Sequence, residues 1–272
     1  WRAEALAALA PRLAELGYPQ EALTTAREIE NEYWRAKALA ALIPHLSLNL
    51  LGQALATARG IRDPFARAEV LVVLAPRLAE LGYPQEALTT AWEIENEYWR
   101  AEVLAALAPR LAELGYPQEA LTAAREIENE NRRAEALAAL ALRLAEFGYP
   151  QEALTAAREI ENEDRRAKAL AALAPRLAKL GYLQEALTAV QEIRDQPQRA
   201  KALATLIPCL PPEQQPQVLA EALATAKGIR NAFVQSETLA VLAPCLPPEQ
   251  QPQVLAEALA TAKKIGDEDR RA

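Results

Sequence analysis

The sequence predicts an all-α fold, a solenoid built from eight tandem helix-turn-helix repeats within 272 residues. The first observation is a segment beginning Arg2-Ala-Glu-Ala-Leu, which returns at a usual spacing of 33 residues, as in repeat architectures. The second is composition: hydrophobic residues make up 51% and aromatic residues only 5%, because much of the apolar content is alanine. Alanine and leucine favour closely packed helices over a sheet. We expect a single array over residues 1–272, with units that start near residues 2, 35, 67, 100, 133, 166, 199 and 235.

The first helix of a unit is indicated by leucines at helical spacing. Leu6, Leu9, Leu13 and Leu16 fall at i, i+3, i+7 and i+10, which places them on one face. Gly17 is expected to end this helix, because glycine readily takes the positive φ of a C-terminal cap. One such hairpin cannot bury its apolar stripe alone, so the units are expected to stack.

The second helix of a unit follows a short turn. Tyr18-Pro19 is expected to form the turn, since proline suits the first turn of a new helix. Ala22, Ala26 and Ile29 mark the inner face. Asn31 is expected to end the helix, and the following Tyr-Trp pair leads into the next unit.

Proline and turn chemistry divide the units into subtypes. Proline occurs inside the predicted first helix of seven units and is expected to kink it there. In units 7 and 8 the Gly-Tyr turn is replaced by Leu-Pro-Pro-Glu-Gln-Gln-Pro-Gln, so the first helix should end before the proline pair and the second should be longer. The prolines are Pro11, Pro44, Pro76, Pro109, Pro175, Pro208 and Pro244.

The repeat resembles the tetratricopeptide repeat over essentially the whole chain. The positions that carry the resemblance are Leu6, Leu9, Ala10, Leu13, Gly17, Tyr18, Glu21, Ala22, Ala26 and Ile29. The resemblance implies a right-handed, TPR-like α-solenoid with a binding face lined by first helices. The internal prolines keep a HEAT-like solenoid as the alternative. Near-identical Ala-Leu-rich arrays are also similar to the sensor arrays of bacterial NACHT/STAND-type signalling proteins, which implies ligand sensing.

Chemistry-bearing residues are sparse, so we expect neither an enzyme nor a metal or cofactor site. The one histidine, His45, stands where other units carry arginine. Cys209 and Cys245 share that position and are expected to be reduced thiols, because equivalent positions of stacked repeats lie about 8–10 Å apart, beyond disulfide reach. The net charge of −7 argues against nucleic acid and anionic membranes as partners. No apolar run is long enough to span a membrane. We expect a cytoplasmic protein.

Departures from the repeat template are the candidate partner-binding residues. Trp34, Trp92 and Trp99 either form an aromatic platform for a partner or pack over the seams between hairpins. The junctions become polar later, at Arg132 and Arg165. A second candidate surface is the first-helix row of charged residues that contains Glu69, Glu102 and Glu135 beside a floor of small residues.

These patterns predict a protein-protein interaction module, a ligand-sensing or scaffold array that binds a protein or peptide. The chain begins with Trp1 and contains no methionine, so we expect a piece of a larger intracellular protein. The alternative is a structural spacer, or a self-assembling or designed repeat protein without a dedicated ligand, which associates through its open ends.

Overall fold

The computed structural model of the chain describes residues 1–268, which form sixteen α-helices and contain no strand. The all-α solenoid fold is therefore confirmed: the helices alternate as first and second members of eight hairpins. The helices are α1 (Arg2–Glu15), α2 (Pro19–Arg27), α3 (Glu32–Leu42), α4 (Leu48–Arg59), α5 (Pro64–Glu80), α6 (Pro84–Trp92), α7 (Glu97–Glu113), α8 (Pro117–Arg125), α9 (Glu130–Glu146), α10 (Pro150–Arg158), α11 (Glu163–Lys179), α12 (Leu183–Gln191), α13 (Gln196–Leu206), α14 (Gln215–Lys227), α15 (Ala232–Leu242) and α16 (Gln251–Glu268).

The chain divides into two compact units, residues 1–136 and the residues from 137 onward. In the first unit α1, α3, α5 and α7 stack in order as one layer, and each packs against the second helix of its own hairpin. In the second unit α11, α13 and α15 stack in the same way, and α10 packs on α12. Each unit buries the apolar stripes of its hairpins against the next hairpin, as expected for a solenoid.

The leucine stripe is buried at three positions and not at the fourth in the third to sixth repeats, whereas in the first repeat Leu6 and Leu13 are half-buried and Leu9 is 50% exposed. In α5, Leu71, Leu74 and Leu78 are at most 5% exposed, whereas Leu81 is 37% exposed and Leu16 in the first repeat is 73% exposed. The expectation that the fourth leucine joins the inner face is wrong, because this residue is the C-cap of the helix, where the chain turns away. Alanines such as Ala75 fill the remaining inner positions and allow a close approach of helices.

The predicted glycine stop is confirmed. The turn glycines of five repeats have φ between +86° and +92°. In the first repeat Tyr18 N donates to Leu13 O at 2.9 Å and Gly17 N donates to Ala14 O at 3.0 Å, the bonding pattern of a Schellman cap. Pro19 then begins α2 at its first position, where the missing N–H costs nothing.

The end of the second helix was placed too late by the sequence pattern. The helix α2 ends at Arg27, and Ile29 is buried in the connection that follows. Asn31 does not end α2; it is the N-cap of α3, and its side chain accepts a hydrogen bond from Trp34 N at 3.1 Å. Because asparagine is a preferred N-cap, the next helix begins directly after it and includes the Tyr-Trp pair in its first turn.

The prolines of the first helices have two different effects on helix structure. Pro11, Pro76, Pro109 and Pro175 lie inside α-helices that continue for another turn. At Pro44, Pro208 and Pro244 the α-helix ends and a single 3₁₀ turn follows, so a kinked helix is the wrong expectation there. In units 7 and 8 the residue after the 3₁₀ turn is extended, since it precedes a proline and the α region is disfavoured. The expected longer second helices are confirmed by α14 and α16.

Candidate functional site

The opening arginine of the second to sixth repeats is a structural clamp, because it donates to the isoleucine carbonyl of the preceding connection. Arg67 Nη1 donates to Ile61 O at 3.1 Å, and Arg67 Nη2 pairs with Glu95 of the next connection at 2.5 Å. Arg100 repeats both contacts, to Ile94 O at 2.6 Å and to Glu128. The recurrence of this arginine is thus explained by stacking, and the sequence pattern alone did not reveal that role.

A groove of about 750 Å³ lies in the first unit, where α3, α5 and α7 begin. Residues of three successive first helices line it. The first and last of them, Asn31 and Trp99, are 68 positions apart in sequence and come together only because the repeats stack. Residues of three kinds line it: aromatic walls, a small apolar floor and an acidic rim. The lining residues are Asn31, Glu32, Tyr33, Asp63, Phe65, Ala66, Ala68, Glu69, Val72, Val73 and Trp99.

The aromatic walls are open to solvent. Phe65 is 68% exposed, Tyr33 is 50% exposed and Trp99 is 43% exposed. Large aromatic side chains are usually buried, and a cluster of exposed ones marks an interaction surface. The three rings come from the first turns of α5, α3 and α7, where the N-caps Asp63, Asn31 and Asn96 fix the direction of each helix start.

The floor of the groove departs from the repeat template. Val72 and Val73 of α5 are half-buried and line the groove, where the first repeat has Ala7 and Ala8. The repeat pattern predicts a floor of small residues throughout, and the two valines depart from that prediction. The signal was available, because a pair of β-branched residues replaces an alanine pair in one repeat. The two valines add apolar surface to the groove that Phe65 also lines.

The rim of the groove carries three carboxylates. Glu32 accepts hydrogen bonds from Asp63 N at 2.9 Å and from Arg62 N at 3.2 Å, so it caps the start of the next repeat. These backbone N–H donors lower the pKa of the Glu32 carboxyl below its ordinary value. Asp63 in turn accepts from Ala66 N at 2.8 Å. The third carboxylate of the rim is that of Glu69, which places a negative charge beside the apolar floor.

The tyrosines of this face already hold cations of the chain itself. Lys37 Nζ lies 4.6 Å from the centroid of the Tyr33 ring, and Arg132 Cζ lies 4.2 Å from that of Tyr98. Contact with Tyr33 raises the pKa of the Lys37 ammonium above its ordinary value. Arg132 also pairs with Glu102. Cation–π geometry of this kind shows that the exposed rings present their electron-rich faces to positive charge.

The predicted tryptophans do not share one surface. Trp99 lines the groove, whereas Trp34 is half-buried and packs edge-on to Tyr33, with ring centroids 5.3 Å apart. Trp92 is 42% exposed and ends α6, a second helix, so it is not among the groove residues. The aromatic neighbours that line the groove with Trp99 are Tyr33 and Phe65.

The predicted charged residues are divided among several roles. Glu69 lines the groove, and Glu102 is engaged by Arg132. Arg165 N donates to the N-cap Asn162 at 3.0 Å, which places it in the first turn of α11, in the second unit. Glu135 is on α9 and, like Arg165, has contacts within the chain.

The histidine and the two cysteines do not line the groove. His45 is exposed in the 3₁₀ turn after α3. Cys209 and Cys245 are free thiols, and burial raises the pKa of Cys245. The described residues contain no group of three or more histidine, cysteine, aspartate or glutamate side chains placed to hold a metal ion. None of the described helices is long and apolar enough to cross a bilayer.

Comparisons with known proteins bear on the fold alone. No protein-family model matches the chain, and no curated protein matches it. A solved "circular tandem repeat protein with novel repeat topology and enhanced subunit contact surfaces" superposes with a TM-score of 0.52 at 13% identity, over 98% of this chain and 90% of that chain. Ton1535 from Thermococcus onnurineus NA1 is 19% identical over 94% of this chain and 98% of that chain, with a TM-score of 0.31. The first likeness supports a helical tandem-repeat fold.

Proposed function

We propose that the chain is a protein-interaction module whose groove binds a basic, apolar segment of a protein or peptide. The observation that carries the proposal is the cluster of exposed Tyr33, Phe65 and Trp99 around a floor of two valines. A groove of about 750 Å³ has room for a few side chains of a bound segment. Exposed aromatic anchors of this kind supply most of the binding energy at many interfaces.

Charge selects the class of partner. The rim residues Glu32, Asp63 and Glu69 are acidic, and the net charge of the chain is −7. Lys37 and Arg132 already lie on the rings of Tyr33 and Tyr98, so the carboxylates of the rim would receive the lysines and arginines of a partner. Nucleic acid and anionic lipid would instead meet like charge. A helix with leucines on one face and lysines beside them has the matching chemistry.

The first experiment measures binding of a synthetic amphipathic helix by tryptophan fluorescence and calorimetry. The peptide carries leucine at i, i+3, i+4 and i+7 with flanking lysines, and its control has glutamate at every lysine. We expect saturable binding of the lysine peptide alone. Phe65→Ala and Trp99→Ala should each weaken it at least about tenfold, since truncation of a central aromatic anchor commonly costs about 2 kcal/mol or more.

A matched control variant exists in the second unit. Phe233 is 62% exposed and occupies, in its own repeat, the position that Phe65 occupies in the third, yet it does not line the groove. Phe233→Ala should leave the affinity unchanged. Equal binding of the two peptides, or equal losses for Phe65→Ala and Phe233→Ala, would refute the groove as the binding site.

The same proposal includes the type of protein to which the array belongs and the compartment in which it works. Near-identical Ala-Leu-rich repeats favour a scaffold or ligand-sensing array, of the kind found in bacterial NACHT/STAND-type proteins, without catalysis. Free thiols at Cys209 and Cys245 fit a reducing compartment such as the cytoplasm. The alternative, a self-assembling array or a spacer, predicts different behaviour: self-assembly gives a mass that grows with concentration in sedimentation experiments, and a spacer gives no binding of either peptide.

A further inference from the structure

In the third and fourth repeats the clamp joins an arginine to a glutamate 28 residues later. Arg67 pairs with Glu95 and Arg100 pairs with Glu128, and these arginine side chains are less than one-fifth exposed. The glutamate directly follows the buried isoleucine of the next connection. A partly buried guanidinium without a carboxylate partner is costly, so the glutamate balances the charge of the clamp.

The sixth repeat breaks this rule in the second unit. Arg166 Nη1 donates to Ile160 O at 2.9 Å, as in the other clamps, but the residue 28 positions later is Arg194. Within residues 1–268 no carboxylate pairs with Arg166. Arg199 also has an arginine, Arg230, in the place of the glutamate, and there Glu221 of α14 supplies the missing carboxylate. Arg166 therefore differs from its neighbour in keeping an uncompensated charge.

A cavity of about 450 Å³ lies at this position. It is lined by Arg158, Arg166, Leu170, Gln191, Glu192 and Arg194. Glu192 is already engaged, because Arg158 Nε donates to both of its carboxylate oxygens, at 2.9 and 3.0 Å. That pairing leaves no carboxylate among the lining residues for Arg166 and Arg194, and the buried Leu170 forms part of the same wall. Two like charges in one cavity repel each other, and an anion between them relieves that repulsion.

We propose that this cavity is a binding site for a phosphate monoester. Guanidinium groups present planar forks of N–H donors that match phosphate oxygens, and they bind phosphate more specifically than lysine does. The lining carries three positive charges and one negative charge, so the dianion of a phosphate monoester balances the net charge of +2. The cavity is larger than an inorganic ion needs, and Leu170 offers apolar contact to the organic part. This site shares no residue with the groove and does not depend on the proposed function.

The test is a titration with phenyl phosphate, followed by phosphorus NMR and calorimetry at constant ionic strength set with sodium chloride. Arg194→Glu recreates the arginine-glutamate pair of the third and fourth repeats, so it should fold at least as well as the parent chain. We expect saturable binding that weakens at least about tenfold in this variant, because a charge-assisted contact is lost and a repulsive charge replaces it.

Arg230→Glu is the matched control, since it makes the same charge change at the equivalent connection outside the cavity. It should leave the affinity for phenyl phosphate within about twofold. Absence of saturable binding by the parent chain, or an equal loss in the two variants, would overturn the site. A phosphoserine peptide and its unphosphorylated form, run in parallel, separate a phosphorylated partner from a free phosphate ester as the source of the group.

Discussion

Replacement of Arg100 by methionine tests whether the clamp holds the repeats through its hydrogen bond or through its ion pair. The Arg100 side chain is 17% exposed, whereas the paired Glu128 is 57% exposed. Arg100 Nη1 donates to the carbonyl of the buried Ile94 at 2.6 Å. Methionine retains an unbranched apolar stem and removes every donor, so Arg100→Met removes both interactions with little change in packing volume.

The magnitude follows from the burial of each interaction. Loss of a hydrogen bond from a charged donor to a buried carbonyl costs about 1.5–3 kcal/mol. An ion pair whose acid is largely solvated contributes about 0.2–1 kcal/mol. We expect Arg100→Met to lower the free energy of unfolding by about 2–3 kcal/mol, and Glu128→Gln to lower it by less than about 1 kcal/mol.

Urea denaturation followed by circular dichroism measures both variants, at 0.1 M and at 1 M sodium chloride. High salt shortens the screening length to about 3 Å, so it should remove most of the effect of Glu128→Gln and little of that of Arg100→Met. Equal destabilisation by the two variants, or complete loss of both effects in 1 M salt, would refute the assignment of the clamp to its hydrogen bond.

Three further outcomes are expected from the local structure. Asn96→Ala removes the side-chain acceptor of the α7 N-cap and should cost about 1 kcal/mol in urea denaturation, while Asn96→Asp should cost little. Gly148→Ala should cost about 1–2 kcal/mol, since φ is +88° there, and a loss below about 0.5 kcal/mol would contradict this reasoning. Because hydrogen bonds lower the pKa of Glu32, its contribution is complete above the ordinary value of 4.5 and disappears as pH falls through the lowered value. The stability difference between the parent chain and Glu32→Gln should therefore shrink on acidification, and a difference that stays constant down to pH 2 would exclude this cap.

Much of the fold could be predicted because its signals are local. The turn after each first helix follows from Gly17 and its equivalents, since only glycine takes a φ near +90° without strain. Proline at the start of α2 and leucines at helical spacing are equally short-range. The boundary misplaced at Asn31 also had a local explanation: asparagine both ends helices and caps new ones, and the Glu-Tyr-Trp that follows continues as a helix.

The candidate sites depended on tertiary structure to a greater extent. The sequence singled out Trp34, Trp92 and Trp99 by their departure from the template, but stacking decides which aromatic residues meet. Side chains from three first helices form one groove, which brings Trp99 to Tyr33 and leaves Trp92 on a second helix. No spacing rule within one repeat predicts such a set, because the contacts lie between repeats.

The sequence by itself determined that the chain forms stacked αα-hairpins, since helical periodicity, caps and turn residues act within a few positions of one another. Only the tertiary structure decided which role each individual residue has. The opening arginine proved to be a clamp because the next repeat brings Glu95 or Glu128 against it. Arg166 became a candidate ligand-binding residue because the next repeat brings Arg194 instead. The physical reason is that charge is balanced across the interface between repeats, where residues distant in sequence share one partly desolvated space.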